Sequence, residues 1–332
     1  MKRRNFITLV GGAAAAWPLV ARAQQTPKIA RIGFLTSATL KDPGIRQQFD
    51  AIRQDFVRLG YVEGQNIVFE LRGTDGTIDG LPALASELVH LKVDVIVALA
   101  TPAGRAAQQA TAAIPIVIGS MGDPVQDGLV ASLSRPGGNV TGTTFLGPEL
   151  LPKRLGLLKE LIPAMSRVAC LWHPEAFREQ TNRDMKKQIE GAAKALSVQL
   201  QYVEAHKLDE FERAFSDMAS GNFDAMFEFP STTFFEQRKR LVDLAERHRL
   251  PAMYNAREFV ELGGLIAYGA NILDLNRRTA FYVDKILKGA KPSELPVEQP
   301  TKFELAINRK TAKTLGIDIP QALLAAADDL VD

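Results

Sequence analysis

The chain has 332 residues, with 40 basic and 38 acidic side chains, a formal net charge of +2, and 46% hydrophobic and 23% charged residues. That is the composition of a globular protein too long for one core, and it gives no reason to expect nucleic acid or an anionic membrane surface as a partner. A single cysteine, Cys170, excludes an internal disulfide, and four scattered histidines offer no metal-ligand spacing.

Residues 1–23 differ from everything that follows. Lys2, Arg3 and Arg4 precede an apolar run over 6–20, and Ala21-Arg22-Ala23 is a small-x-small cleavage site. The run is too short to span a bilayer, which takes about 20 residues. Arg3-Arg4-Asn5-Phe6-Ile7 resembles the twin-arginine export signal. Cleavage after Ala23 leaves 309 residues and removes four basic side chains, so 36 basic groups face 38 acidic ones and the mature chain is near neutral. Gln24 at the new terminus is not a cysteine, so no lipid anchor is expected, and the expected location is the periplasm.

From 29 onward, short apolar runs alternate with amphipathic stretches. Strands are predicted at 29–35, 66–71, 93–98, 114–118 and 140–145, with helices at 45–59, 78–91, 103–111 and 128–134 between them. A helix at 148–161 separates this block from a second. There, strands fall at 168–172, 199–203, 225–229, 252–254 and 265–267, and helices at 180–196, 208–220, 234–247 and 273–287. Strands apolar on both faces in unbroken βαβα order imply parallel sheets covered by helices. The expectation is α/β: two doubly wound parallel-sheet lobes with a ligand cleft between them.

Open α/β sheets bind ligands at the loops beyond the carboxyl ends of their strands. After the first strand, Ser37 offers a hydroxyl. After the third, Thr101 reads as an N-cap with Pro102 at the first helical position, followed by Ala103 and Arg105; such a helix start suits a carboxylate. After the fourth come Ser120 and Asp123, the latter either a partner for a ligand ammonium or the start of a turn before Pro124. The second block supplies Trp172, His173, Ser231, Thr232, Tyr254 and Tyr268 in corresponding loops. No glycine-rich phosphate loop, GxSxG elbow or HExxH pair is present. No catalytic residue, metal or cofactor is therefore expected; the residue types are those of a binder.

Three stretches, IPIVIGSMGDPVQDGLVASLSRPGGNVTG (114–142), RLPAMYNAREFVELGGLIAYG (249–269) and VDKILKGAKPSELPVEQPTKFELAINRKTAKTLGIDIP (283–320), resemble the periplasmic solute-binding proteins of ABC importers whose Gram-positive relatives bind tryptophan and similar amino acids. The resemblance implies a type I periplasmic-binding fold with three crossovers. The first lobe would comprise 28–145 plus about 271–301, and the second 146–270 plus about 302–332. Hinges would lie near 145–147, 268–271 and 299–302. It further implies that groups around Ser37, Thr101, Pro102 and Ala103 hold a carboxylate, with Arg105, Ser120 and Asp123 beside them. Trp172, Ser231, Thr232, Tyr254 and Tyr268 would face them from the other lobe.

Departures from the family pattern touch these loops. Ser231 stands where relatives often carry an acid, His173 where they often carry asparagine, and Arg105 where they often carry a small residue. Gaining a cation and losing an anion opens the range from an amino acid, aromatic or not, to a plain aromatic or aliphatic acid. The expected function is capture of a small carboxylate-bearing ligand by hinge closure for a membrane permease, with the protein a monomer. The alternatives are a sensory binding protein that presents its ligand to a receptor and, more remotely, an exported enzyme on two Rossmann-like lobes.

Overall fold

The computed structural model describes residues 29–332 apart from positions 42 and 76; the export signal lies outside the described residues. The first block folds as β1 (Ala30–Thr36), α1 (Pro43–Arg58), β2 (Ile67–Gly73), α2 (Leu81–His90), β3 (Val95–Leu99), α3 (Ala100–Ala110), β4 (Ile116–Met121) and β5 (Val140–Thr144). Its five strands pair in parallel in the order β2-β1-β3-β4-β5. Strands β3, β4 and β5 are buried along their whole length, which is why their sequences read as continuous apolar or small-residue runs.

The second block is α4 (Leu151–Leu161), β6 (Arg167–Trp172), α5 (Glu179–Ala195), β7 (Gln199–Glu204), α6 (Glu210–Ser220), β8 (Ala225–Glu228), α7 (Thr232–Glu236), α8 (Arg238–Arg247), β9 (Ala252–Tyr254), α9 (Arg257–Glu261) and β10 (Ile266–Ala270). Three segments follow the repeat: α10 (Ile272–Leu287), β11 (Phe303–Asn308) with α11 (Arg309–Leu315), and α12 (Gln321–Ala326) with β12 (Asp329–Val331). Helix α10 packs on α1, β3, β4 and β5, whereas β11 and β12 extend the second sheet to β12-β11-β10-β9-β8-β6-β7. Reading that sheet backwards, 7-6-8-9-10 repeats the plan of 2-1-3-4-5. Each sheet is sandwiched between two apolar clusters, one on each face.

Several local readings are corrected. Residues 128–134 form no helix. Leu129 and Val130 N–H both turn back onto the Pro124 carbonyl, and Gly128 adopts φ 68°, which breaks helical continuation. The stretch 234–247 is two helices, interrupted at Gln237. β11 runs antiparallel to β10 because the chain re-enters the second sheet from the first lobe's side. Elements α9, α11, α12 and β12, each seven residues or fewer, are too short to impose a periodicity and went unpredicted.

Candidate functional site

The two sheets turn the carboxyl ends of their strands toward each other, and a cavity lies where they meet. Its walls from the first lobe are Ala100, Thr101 and Pro102 after β3, Ser120 in β4, and Phe145 just beyond β5. From the second come Ala176 and Phe177 after β6, Ser231, Thr232 and Phe235 after β8, and Asn255 after β9; Ile272 opens α10. It encloses about 80 Å3. That is roughly half the volume that holds a benzene ring, so an aromatic side chain enters only if the walls part. No lining residue carries a charge.

The backbone is strained at two of these positions. Ala100 has φ 70° and Ser120 φ 58°, left-handed values costing a non-glycine residue about 1–2 kcal/mol each. At Ser120 the β4–β5 register shifts between Ile118 and Met121, and this bulge turns the residue out of the ladder. Its N–H is then taken by Thr143 Oγ1 at 3.0 Å, and its hydroxyl donates to Asn276 Oδ1 of α10 at 2.8 Å. Gly142 opposite has φ 139°, and a Cβ there would stand 2.0 Å from the Ile118 carbonyl.

Thr101 is not the N-cap. Helix α3 begins two residues earlier than that, at Ala100 behind Leu99, without a side-chain cap. The Thr101 hydroxyl, 3% exposed, instead accepts the Gly122 N–H at 3.0 Å, tying the helix start to the loop after β4. Ser231 does cap α7, accepting the Phe234 N–H at 3.5 Å, and also lies 2.8 Å from His173 Nδ1. His173 Nε2 is 3.4 Å from Glu175 Oε2, and Glu175 in turn holds His206 Nδ1 at 2.9 Å. Burial depresses the basicity of His173. In hydrolases a line of serine, histidine and carboxylate serves acyl transfer; here only the serine of the line faces the cavity.

Five residues anticipated for the site, Thr101, Pro102, Ser120, Ser231 and Thr232, line the cavity together. The other seven do not. Ala103, within α3, is fully buried in the first lobe's core. Ser37 reaches across between the lobes and donates to Glu236 Oε1 at 2.7 Å. Arg105 turns to Asp127, 3.4 Å away. Asp123 accepts the Gln126 N–H at 3.0 Å and lines a separate gap with Glu149, Thr181 and Asp184.

The three aromatics face their own sheet's packing. Trp172 meets Phe229 edge-on at 4.9 Å, Tyr254 stacks on Phe259 at 4.5 Å, and Tyr268 lies against Phe303 at 6.1 Å. Large apolar rings at strand ends gain more from the core than from a cleft. The aromatic walls are instead Phe145 and Phe177, in loops, and Phe235, in the short α7, positions without distinguishing sequence periodicity.

The lobes are held together by direct contacts. Asp127, fully buried, accepts the Arg178 N–H at 3.3 Å and the Thr181 hydroxyl at 3.4 Å from the second lobe. The Phe177 ring sits against Gly122, where a Cβ would lie 2.3 Å from its edge.

Residues 35–331 match the family model of the ABC transporter substrate binding protein. The chain belongs to that family. It is 26% identical over 285 residues to the tyrosine-binding protein of Clostridioides difficile (strain R20291), covering 83% of this chain and 81% of that one. Two solved structures share its fold over 91% of its length. A conserved domain protein from Vibrio cholerae is 27% identical, with a TM-score of 0.83 and complete coverage of that chain. The ABC domain from Streptococcus pneumonia in complex with L-Trp is 25% identical, with a TM-score of 0.82 and 99% coverage. The family is one of binding proteins. Among the described residues of this member there is no cluster that could hold a metal ion and no helix long and apolar enough to cross a membrane.

Proposed function

We propose that this substrate-binding protein captures a small molecule with a carboxylate head and a compact apolar body, closing its two lobes over it for delivery to an ABC permease. The observation that carries this reading is the strained, uncharged cavity at the carboxyl ends of both sheets. The uncapped first turn of α3, entered through left-handed Ala100, offers backbone donors there, and three phenylalanines surround the remainder. Unpaired N–H groups at a helix start favour an anion without any lysine or arginine. The apolar walls favour a hydrocarbon body.

Closure follows the same geometry. Ligand bound to one lobe gains contacts when the other arrives, and that differential affinity drives the shift from open to closed. The first lobe is taken as 28–145 plus about 271–301 and the second as 146–270 plus about 302–332, with hinges near 145–147, 268–271 and 299–302. Left-handed Leu146 (φ 53°) lies in the first of these. Export by the twin-arginine route and a periplasmic location are part of the proposal and rest on residues 1–23.

A thermal-shift screen of the purified protein against amino acids graded in size and against short and aromatic carboxylates tests it. A ligand at one hundred times its Kd stabilises by about 2.7 kcal/mol. Stabilisation by at least one carboxylate-bearing compound, lost in Thr101→Val, is expected. Turnover of a compound without stabilisation by any would overturn the binding reading.

A further inference from the structure

Phe235 and Ile272 wall the cleft cavity on one side, and the same two residues line a second chamber of about 400 Å3, five times larger. Capture of a ligand at the cleft gives this chamber no role. Both lobes build it. Helix α1 of the first brings Gln47 and Gln48, α8 and α9 of the second bring Arg238 and Glu258, and Asn271 stands at the crossing into α10. Phe235 is followed by Glu236, which takes the Ser37 hydroxyl from the first lobe, so the chamber sits beside a contact that holds the lobes together.

Four charged side chains line it, and three of them are committed elsewhere. Arg257 donates to Glu261 at 3.0 Å and to Asp329 at 2.9 Å and lies 3.6 Å from Glu304, which also accounts for Glu261. Arg238 donates to the Phe235 carbonyl at 2.9 Å and lies over the Phe235 ring at 4.9 Å. Glu258 is left over. Its Oε2 is shut off from solvent and has no hydrogen-bond partner among the described residues. Burial raises its hold on a proton, and so does Glu261, while its own backbone N–H, Arg238 and Arg257 oppose this.

A buried carboxylate without a donor is costly, and the group that relieves it best brings both N–H donors and the opposite charge. A primary ammonium does so with three N–H groups. The amide oxygens of Gln47, Gln48 and Asn271 are neutral acceptors for the remainder. Phe235, Leu273 and Leu262, the last of these 37% exposed, offer apolar surface to an alkyl stem. We propose that this chamber is a second binding site, taking a primary ammonium group on a short alkyl stem, with Glu258 receiving the ammonium. Its occupant touches both lobes, so it and a cleft ligand strengthen each other through closure.

The test is calorimetric titration of the wild type with pentylamine, with pentyltrimethylammonium, which keeps charge and stem but has no N–H, and with pentanol, which keeps the stem alone. Pentylamine should bind at least about tenfold more tightly than either, the loss expected when a charged hydrogen bond goes unmade. Its affinity should fall at least about tenfold in Glu258→Gln, which preserves the shape of the side chain. In the wild type it should rise from pH 5 to 8 as the carboxyl ionises while the amine stays cationic, and Glu258→Gln should abolish that rise.

Pentylamine binding no tighter than its analogues, or undiminished in Glu258→Gln, would overturn the site; the first comparison uses the wild type alone and stands even if the variant fails to fold. Two sources of the amine are then separable. Binding of 8-aminooctanoate tighter than that of pentylamine and of hexanoate would make the ammonium the far end of a ligand whose head lies in the cleft. Pentylamine and hexanoate binding side by side, with no such gain, would make it a separate solute, and either result upholds the site. Pentylamine bound equally by wild type and Thr101→Val, with no carboxylate bound by either, would sink the cleft reading and leave this one standing.

Discussion

Glu228 ends β8 with its side chain wholly buried, one oxygen accepting the Asn255 N–H at 3.1 Å and the other without a hydrogen-bond partner. Burial pushes its carboxyl up to about 8, against the weaker pull of Arg154. Arg154 is itself pushed down to about 10 by burial; it donates to the Glu228 carbonyl and lies over the Phe227 ring at 4.7 Å. Unfolding returns the carboxyl to an ordinary value near ~4.3, so the folded chain holds the proton more tightly. The stability this contributes is complete below that ordinary value and is lost as pH rises toward 8. Urea midpoints measured from pH 5 to 8 should therefore fall with pH, and Glu228→Gln, which keeps a neutral group of the same shape, should flatten that slope while costing less than about 1.5 kcal/mol at pH 5. An unchanged slope in the variant would mean that other groups set it.

At the scale of an element, the site is made by the ends of strands and not by their middles. The turn from β3 into α3 passes through left-handed Ala100, and Ala100→Gly should relieve that strain, raising unfolding stability by roughly 1 kcal/mol in urea titration. Strand β10 passes so close to the loop after β9 that a Cβ on Gly269 would stand 1.9 Å from the Asn255 carbonyl. Backbone on both sides leaves no room to yield. Gly269→Ala should cost about 1–3 kcal/mol and, by moving Asn255, weaken ligand binding measured by calorimetry beyond any loss at the remote Gly156, where a Cβ meets nothing. Periodicity located the principal strands and helices of the two blocks and also placed a helix at 128–134 that does not form. The bulge in β4 was not legible, because nothing in Ile118-Gly119-Ser120-Met121 distinguishes a strand that continues from one that turns its third residue into a cleft.

In the whole molecule, the lobes meet through Ser37–Glu236, through Phe177 on Gly122, and through Asp127, whose buried carboxylate receives Arg178 and Thr181 from across the cleft and Arg105 from its own side. Burial raises the affinity of Asp127 for a proton, and its hydrogen bond from the Arg178 backbone opposes this. Removing the carboxylate strips the second lobe's donors of their partner. Asp127→Ala should thus shift the ensemble toward open, seen as a larger radius of gyration in solution scattering, and weaken ligand binding by about tenfold, the cost of one charged hydrogen bond. Equal scattering curves for variant and wild type would place the closing force elsewhere.

The sequence by itself determined the two lobes, because burial on both faces of a strand and on one face of a helix is written in residue type and spacing, and each helix need find only the sheet beside it. It also pointed to the loops at the strands' carboxyl ends, where Thr101, Pro102, Ser120, Ser231 and Thr232 come together. Which side chains in those loops face the cavity was decided by the tertiary structure. Arg105 had Asp127 for a partner, 22 residues away in the chain, and Trp172 and Tyr254 had rings of their own core to pack against. Phe177 and Ser231 meet at one cavity from separate loops. His173 and Ser231, 58 positions apart, come within one hydrogen bond because β6 and β8 are neighbours in the sheet. A side chain's orientation is settled by competition among partners that become neighbours through folding, and no local pattern records the outcome.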